Sequence, residues 1–138
     1  MHFQAYVYIF ANMENYTEPN NNFSEIDSAI SNIKQGTAWL SGELGFNVLQ
    51  QNPDNNVLII AMHENTEFES YQANNSLIIK VIHGKLRFKI NNKVSVIESG
   101  KMVILVEKAF YLIESMEESV FLLMTFNSFK NDKNYWLC

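Results

Sequence analysis

Apolar positions along the chain follow two spacings, and the change comes near Leu44. Upstream, Ile26, Ala29, Ile30 and Ile33 recur three and four residues apart, with Ser24 in front as an N-cap and Asp27 three residues on. That spacing predicts one short amphipathic helix over residues 24–34 whose apolar stripe packs on a sheet. Downstream the runs shorten and the period drops to two, which predicts strands at 46–50, 57–63, 67–71, 77–82, 85–90, 93–97, 102–106, 110–114 and 120–126. Turn signals separate them: Pro53-Asp54, Asn74-Asn75, His83-Gly84, Asn91-Asn92 and Ser99-Gly100.

Nine short strands with no helix between them imply an antiparallel sandwich or barrel, an all-β architecture. In Leu86-Arg87-Phe88-Lys89-Ile90 the alternation is clean, with Leu86, Phe88 and Ile90 on one face and Arg87 and Lys89 in water. The runs 77–82, 102–106 and 120–126 are instead apolar on both faces. Strands of that kind are covered twice, which in a chain this small predicts a second subunit and hence a homodimer.

Composition narrows the function more than the fold. The 138 residues are 47% hydrophobic, enough for one domain with a proper core. Ten Lys plus Arg against fifteen Asp plus Glu leave a net charge of -5, so no nucleic-acid partner is expected. No stretch approaches the roughly 20 apolar residues that span a bilayer, so no membrane partner is expected and the chain reads as cytoplasmic. The run at residues 5–11 (AYVYIFA) has no Lys or Arg before it; it reads as an added strand or as an extension upstream of a start at Met13, in preference to a secretory signal. Glycine and proline are scarce, while eighteen Asn, several paired as in Asn55-Asn56, supply turn punctuation. Residues 1–23 form an N-terminal extension and linker, 24–127 the barrel with its helix, and 128–138 a tail that folds back through Tyr135, Trp136 and Leu137 or frays.

The order of strands and glycines resembles a small single-domain cupin, a double-stranded β-helix or jelly-roll barrel, over residues 42–127. Gly84 matches the last glycine of the first cupin motif, after the strand IIKVIHG, and Gly100 matches the first glycine of the second, within Glu98-Ser99-Gly100-Lys101. Carried across residue by residue, the two histidines of the first motif fall on Tyr71 and Ala73, its glutamate on Leu77, and the histidine of the second on Tyr111. The proline and second glycine of that motif fall on Val106 and Lys108. All four ligand positions have lost their ligands: Ala73 and Leu77 carry no donor atom, and a phenol with an ordinary pKa near 10 is a poor neutral-pH ligand. No metal and no cofactor is therefore expected. The alternative is a metal-dependent cupin enzyme, of isomerase or dioxygenase type, with ligands relocated to His63, Glu67 and Glu69; Glu67, Glu69 and Tyr71 would then form one row by period two.

Nucleophilic chemistry finds no support either. The single cysteine, Cys138, has no defined basic neighbour, and neither a Gly-x-Ser-x-Gly turn nor a Cys-x-x-Cys pair is present. What remains is an apolar barrel interior, with Tyr71, Ala73, Leu77 and Ile79 from one motif, Tyr111 and Ile113 from the other, and Phe88 as a floor. The expectation is a metal-free, non-catalytic domain that binds a small, mostly apolar molecule there or serves as a structural or interaction module.

Overall fold

The computed structural model describes residues 25–51, 53, 55–72, 76–90, 92–106 and 109–126. Among these residues two helices, α1 (Glu25–Lys34) and α2 (Thr37–Leu40), precede nine strands: β1 (Gly45–Gln51), β2 (Asn55–Met62), β3 (Glu67–Gln72), β4 (Ser76–His83), β5 (Lys85–Ile90), β6 (Lys93–Glu98), β7 (Met102–Val106), β8 (Ala109–Ser115) and β9 (Ser119–Phe126). Each of the nine runs predicted between residues 46 and 126 is a strand, and the apolar run at residues 5–11 lies outside the described residues. The expected N-cap Ser24 lies outside the described residues. Helix α2 was not expected, because TAWL is too short to show a period. Asn55-Asn56 also differs from expectation, since both residues open β2 and pair with Phe126 and Thr125 of β9. The left-handed backbone that Asn tolerates occurs at Asn65, φ 63°, between β2 and β3.

The strands form two antiparallel sheets, β1-β2-β9-β4-β7 and β3-β8-β5-β6. From β2 to β5, and again from β6 to β9, the chain changes sheet at every connection, which is the winding of a double-stranded β-helix. Leu58, Ile60 and Met62 of β2, Leu77, Ile79 and Val81 of β4, and Phe121 and Leu123 of β9 meet Phe68, Leu86, Phe88, Tyr111 and Ile113 of the second sheet in one core. The fold is all-β with short helices packed outside the barrel.

The tightest change of sheet is made by one residue, Gly84, between β4 and β5. Its φ is +95°, and a Cβ there would stand 2.6 Å from the Glu118 carbonyl oxygen and 2.7 Å from the Ser119 Cα. Only glycine satisfies both the turn and the approach of the β8–β9 connection. Two buried serines tie the same end together. Ser115 Oγ donates to the His63 carbonyl and accepts from the Thr66 backbone N–H at 3.2 Å. Ser119 Oγ accepts from the Lys85 N–H at 3.1 Å and donates to the Glu117 carbonyl at 2.7 Å.

The outer face of the five-stranded sheet is covered over half its width. Ile59 and Ala61 of β2 and Val120 of β9 pack under Ala29, Ile33 and Trp39 of the helices. Part of the apolar surface that the spacing assigned to a second subunit is thus covered by the chain's own helices. On the β7 side, Met102 and Ile104 are 50% and 60% exposed.

Candidate functional site

Five residues of the expected pocket, Leu77, Ile79, Phe88, Tyr111 and Ile113, are buried together in the core. Tyr111 stacks on Phe88 with ring centroids 5.6 Å apart and planes at 7°. Ala73 lies outside the described residues. The backbone register separates Tyr71 from Tyr111: Tyr71 stands opposite Phe110, which is 57% exposed, whereas Tyr111 stands opposite Ser70. Residues directly opposite in an antiparallel pair share a face, so the two positions belong to opposite faces of the sheet. The expected pairing of the two tyrosines around one cavity turns on the Tyr71 side chain, which lies outside what the structure describes. Glu67 and Glu69 alternate with the buried Phe68, so this pair runs along the outside of the barrel.

Space for a ligand lies at the flanks of the sandwich, where the edge strands of the two sheets leave gaps. A smaller cavity of about 520 Å³ lies between β6 and β7, lined by Phe88, Ile90, Asn92, Lys93, Ser95 and Val103. Phe88 is thereby the expected pocket residue that borders a cavity, while Tyr111 sits behind it in the stack. A larger cleft of about 940 Å³ lies on the opposite flank, where β1 and β3 are the edge strands. Trp39 and Leu44 line it with the core side chains Phe46 and Met62, and Thr66, Glu43 and Glu67 stand among its lining residues. Sequence reasoning missed this cleft. Its one signal was Trp39, a large aromatic in a segment with no strand period.

The corner beside the cleft is rigid for identifiable reasons. The Trp39 and His63 rings stack with centroids 3.5 Å apart, and His63 Nε2 lies 3.1 Å from the Trp39 carbonyl oxygen. Gly45 lets α1 close on β1, because a Cβ there would meet Ile33 Cγ2 at 2.5 Å. Asn47 Nδ2 donates to the Ala29 carbonyl at 3.4 Å, and Lys34 pairs with Glu118.

No family profile and no curated protein matches the chain. Solved structures do. A cupin superfamily protein from Desulfitobacterium hafniense superposes with a TM-score of 0.59 at 8% identity, over 62% of this chain and 79% of that one. The cupin domain of Cnp3 from Schizosaccharomyces pombe gives 0.58 at 15% identity, over 68% and 70%. A conserved protein of unknown function from Streptococcus pyogenes gives 0.63 at 10% identity, over 83% and 98%. The chain has the fold of a small cupin domain.

Of the positions that the motif resemblance assigns to metal ligands, the structure describes the side chains of Leu77 and Tyr111, and neither fits a metal. Leu77 is buried and has no donor atom, and Tyr111 is committed to the stack on Phe88. The relocated set fares no better. His63 is engaged with Trp39, Glu67 is on the outside of β3 at the barrel end, and Glu69 faces outward two residues on. Among the described residues no three His, Cys, Asp or Glu side chains gather where they could hold an ion. Glu114, the nearest carboxylate to Tyr111 in sequence, pairs outward with Arg87 at 3.1 Å. Among the described residues no helix is long and apolar enough to cross a membrane.

Proposed function

We propose that this cupin domain is a metal-free, non-catalytic module that binds a small, mostly apolar molecule. The observation that carries this reading is the cleft of about 940 Å³ on the β1–β3 flank, where the core side chains Phe46 and Met62 reach the wall of an open space. Pockets for small molecules commonly have about this volume, an apolar floor and a few polar groups. The ionisable side chains lining it are Glu43 and Glu67, so a neutral or amine-bearing ligand is favoured over a carboxylate. This reading puts the ligand at the flank and not on the barrel axis, and the packing of core side chains along that axis supports the choice.

A thermal-shift screen of neutral, amine-bearing and carboxylate-bearing apolar compounds tests this. A stabilising compound should lose its effect in Phe46→Ala and weaken in Glu67→Lys if it is an amine. Ser95→Trp, which obstructs the smaller cavity, should leave the effect intact. If hits survive Phe46→Ala and fail in Ser95→Trp, the site is on the other flank. If no compound shifts the transition, the domain is a structural or interaction module. Stabilisation by Mn, Fe, Ni, Cu or Zn ions that depends on His63, Glu67 and Glu69 would instead support the metal-dependent enzyme.

A further inference from the structure

The outer face of the β3-β8-β5-β6 sheet sorts its charges by strand. Glu67 and Glu69 of β3 alternate with the buried Phe68, Leu112 and Glu114 of β8 flank the buried Ile113, and Arg87 and Lys89 of β5 flank the buried Phe88. All six therefore point away from the core. The register lines them up in rows across the sheet. Glu67, Glu114 and Arg87 stand opposite one another in one row, and Glu69, Leu112 and Lys89 in the next. Phe110, two residues before Leu112 on β8, is exposed on the same face. An acidic column on β3 and a basic column on β5 are thus separated by one strand that carries Leu112 and Phe110.

We infer that this face docks on the same face of a second copy of the chain, about a two-fold axis that runs along β8. An axis parallel to the strands keeps each residue's height along its strand and exchanges left for right, so β5 of one copy lies over β3 of the other. Lys89 then faces Glu69 of the second copy and Arg87 faces its Glu67, and symmetry forms each contact twice. β8 lies over β8, which brings Leu112 and Phe110 against their own counterparts and removes exposed apolar surface from water. Glu114, which comes to the axis, is already paired with Arg87 of its own copy at 3.1 Å.

Other axes and other occupants fit worse. A two-fold axis across the strands sets β3 over β3, and Glu67 and Glu69 then meet the same carboxylates. A polyanion is repelled by the β3 column and by the net charge of -5, and a polycation by the β5 column. A surface with the two signs in parallel columns is matched by its own two-fold image. The sheet whose doubly apolar runs predicted a second subunit offers no such match, because the described outward positions of β9, β4 and β7 include Lys80 and no acid. Contact over three strand columns, about 10 Å from β3 to β5, is narrow for an interface, so the dimer should dissociate on dilution and in salt.

The test is mass in solution, measured by sedimentation equilibrium on the full chain at concentrations up to about 1 mM, where weak association is read. The expected result is a rise from 16.0 kDa toward twice that mass, reversed by ~0.5 M salt. Lys89→Glu and Glu69→Lys should each be monomeric with unchanged circular dichroism, because each sets like charges face to face. Mixed in equal amounts the two variants should dimerise again, since the mixed pair restores opposite charges at both contacts. Should either variant fail to fold, Leu112→Glu, which sets a carboxylate against its own counterpart at the axis, should abolish association, while Ile104→Glu on the other sheet leaves it intact. A chain that stays monomeric at every concentration overturns the inference. So does a dimer that withstands both charge reversals, a mixture of the two variants that stays monomeric, or a dimer lost in Ile104→Glu and kept in Leu112→Glu, which would assign association to the β7 side.

Discussion

The rings of Trp39 and His63 stack with centroids 3.5 Å apart and planes at 19°, and the same imidazole reaches the Trp39 carbonyl oxygen at 3.1 Å. This pair fastens the four-residue helix α2 to the end of β2, and the Lys34 ammonium lies 5.5 Å from the indole centroid. Trp39→Ala should cost about 3–5 kcal/mol, the usual range for deleting a buried indole. His63→Ala should cost about 1 kcal/mol, the scale of one aromatic contact. Urea titrations followed by circular dichroism measure both; equal losses would mean that the stack is not what holds α2.

Gly84 and Gly100 share a positive φ, +95° and +87°, but not an environment. A Cβ on Gly100 meets nothing within 4 Å, so Gly100→Ala should lose about 1–2 kcal/mol, the backbone cost alone. Gly84→Ala adds a collision with the backbone of Glu118 and Ser119, which raises the loss by a further ~1–3 kcal/mol of overpacking. Matching losses at the two positions would show that the β8–β9 connection moves aside freely.

Ser115 is buried, and its hydroxyl bonds the His63 carbonyl and the Thr66 N–H. Ser115→Ala leaves those groups short of a partner and should cost about 1–3 kcal/mol. Hydrogen exchange should localise the change, with faster exchange at Thr66 and little difference at the opposite end of β8. Uniform acceleration across the barrel would contradict a local tie.

Phe88→Ala removes a buried ring from the Tyr111 stack and should cost about 3–5 kcal/mol, whereas Phe88→Leu should cost about 1 kcal/mol because it keeps most of the volume. Calorimetric melting distinguishes them. If both are mild, the cavity lined by Phe88 and Val103 collapses to fill the gap.

Arg87 and Glu114 pair across β5 and β8 at 3.1 Å on the partly solvated side of the sheet. A double-mutant cycle with Arg87→Met and Glu114→Gln should give a coupling below about 1 kcal/mol. A larger value would mark this pair as shielded from solvent.

The strands were legible because period-two alternation and short spacing are local, and each apolar run from Phe46 to Phe126 survives as a ladder partner. What period two leaves open is which alternate set points inward. Tyr71 shares a parity with Glu67 and Glu69 and, across residues 73–75, with Leu77; the β3–β8 register sets its backbone position opposite Phe110. The doubly apolar runs were expected to be covered on both faces; the described residues supply that cover only in part, since Met102 and Ile104 are exposed, and what covers each position is a tertiary fact. For Val120 the answer is α1 and Trp39 of the same chain. The large cleft was illegible because Trp39, Phe46, Met62 and Thr66 come from four separate elements or turns.

β9, the last described strand, lies in the middle of its sheet, paired with β2 on one side and β4 on the other. A ribosome making this protein must therefore release nearly the whole barrel before its central strand is available. Until Ser119–Phe126 emerges, the β1-β2 and β4-β7 pairs lack the strand that joins them into one sheet. The nascent barrel is thus exposed to chaperones and to aggregation until β9 has emerged, and it closes in one late step.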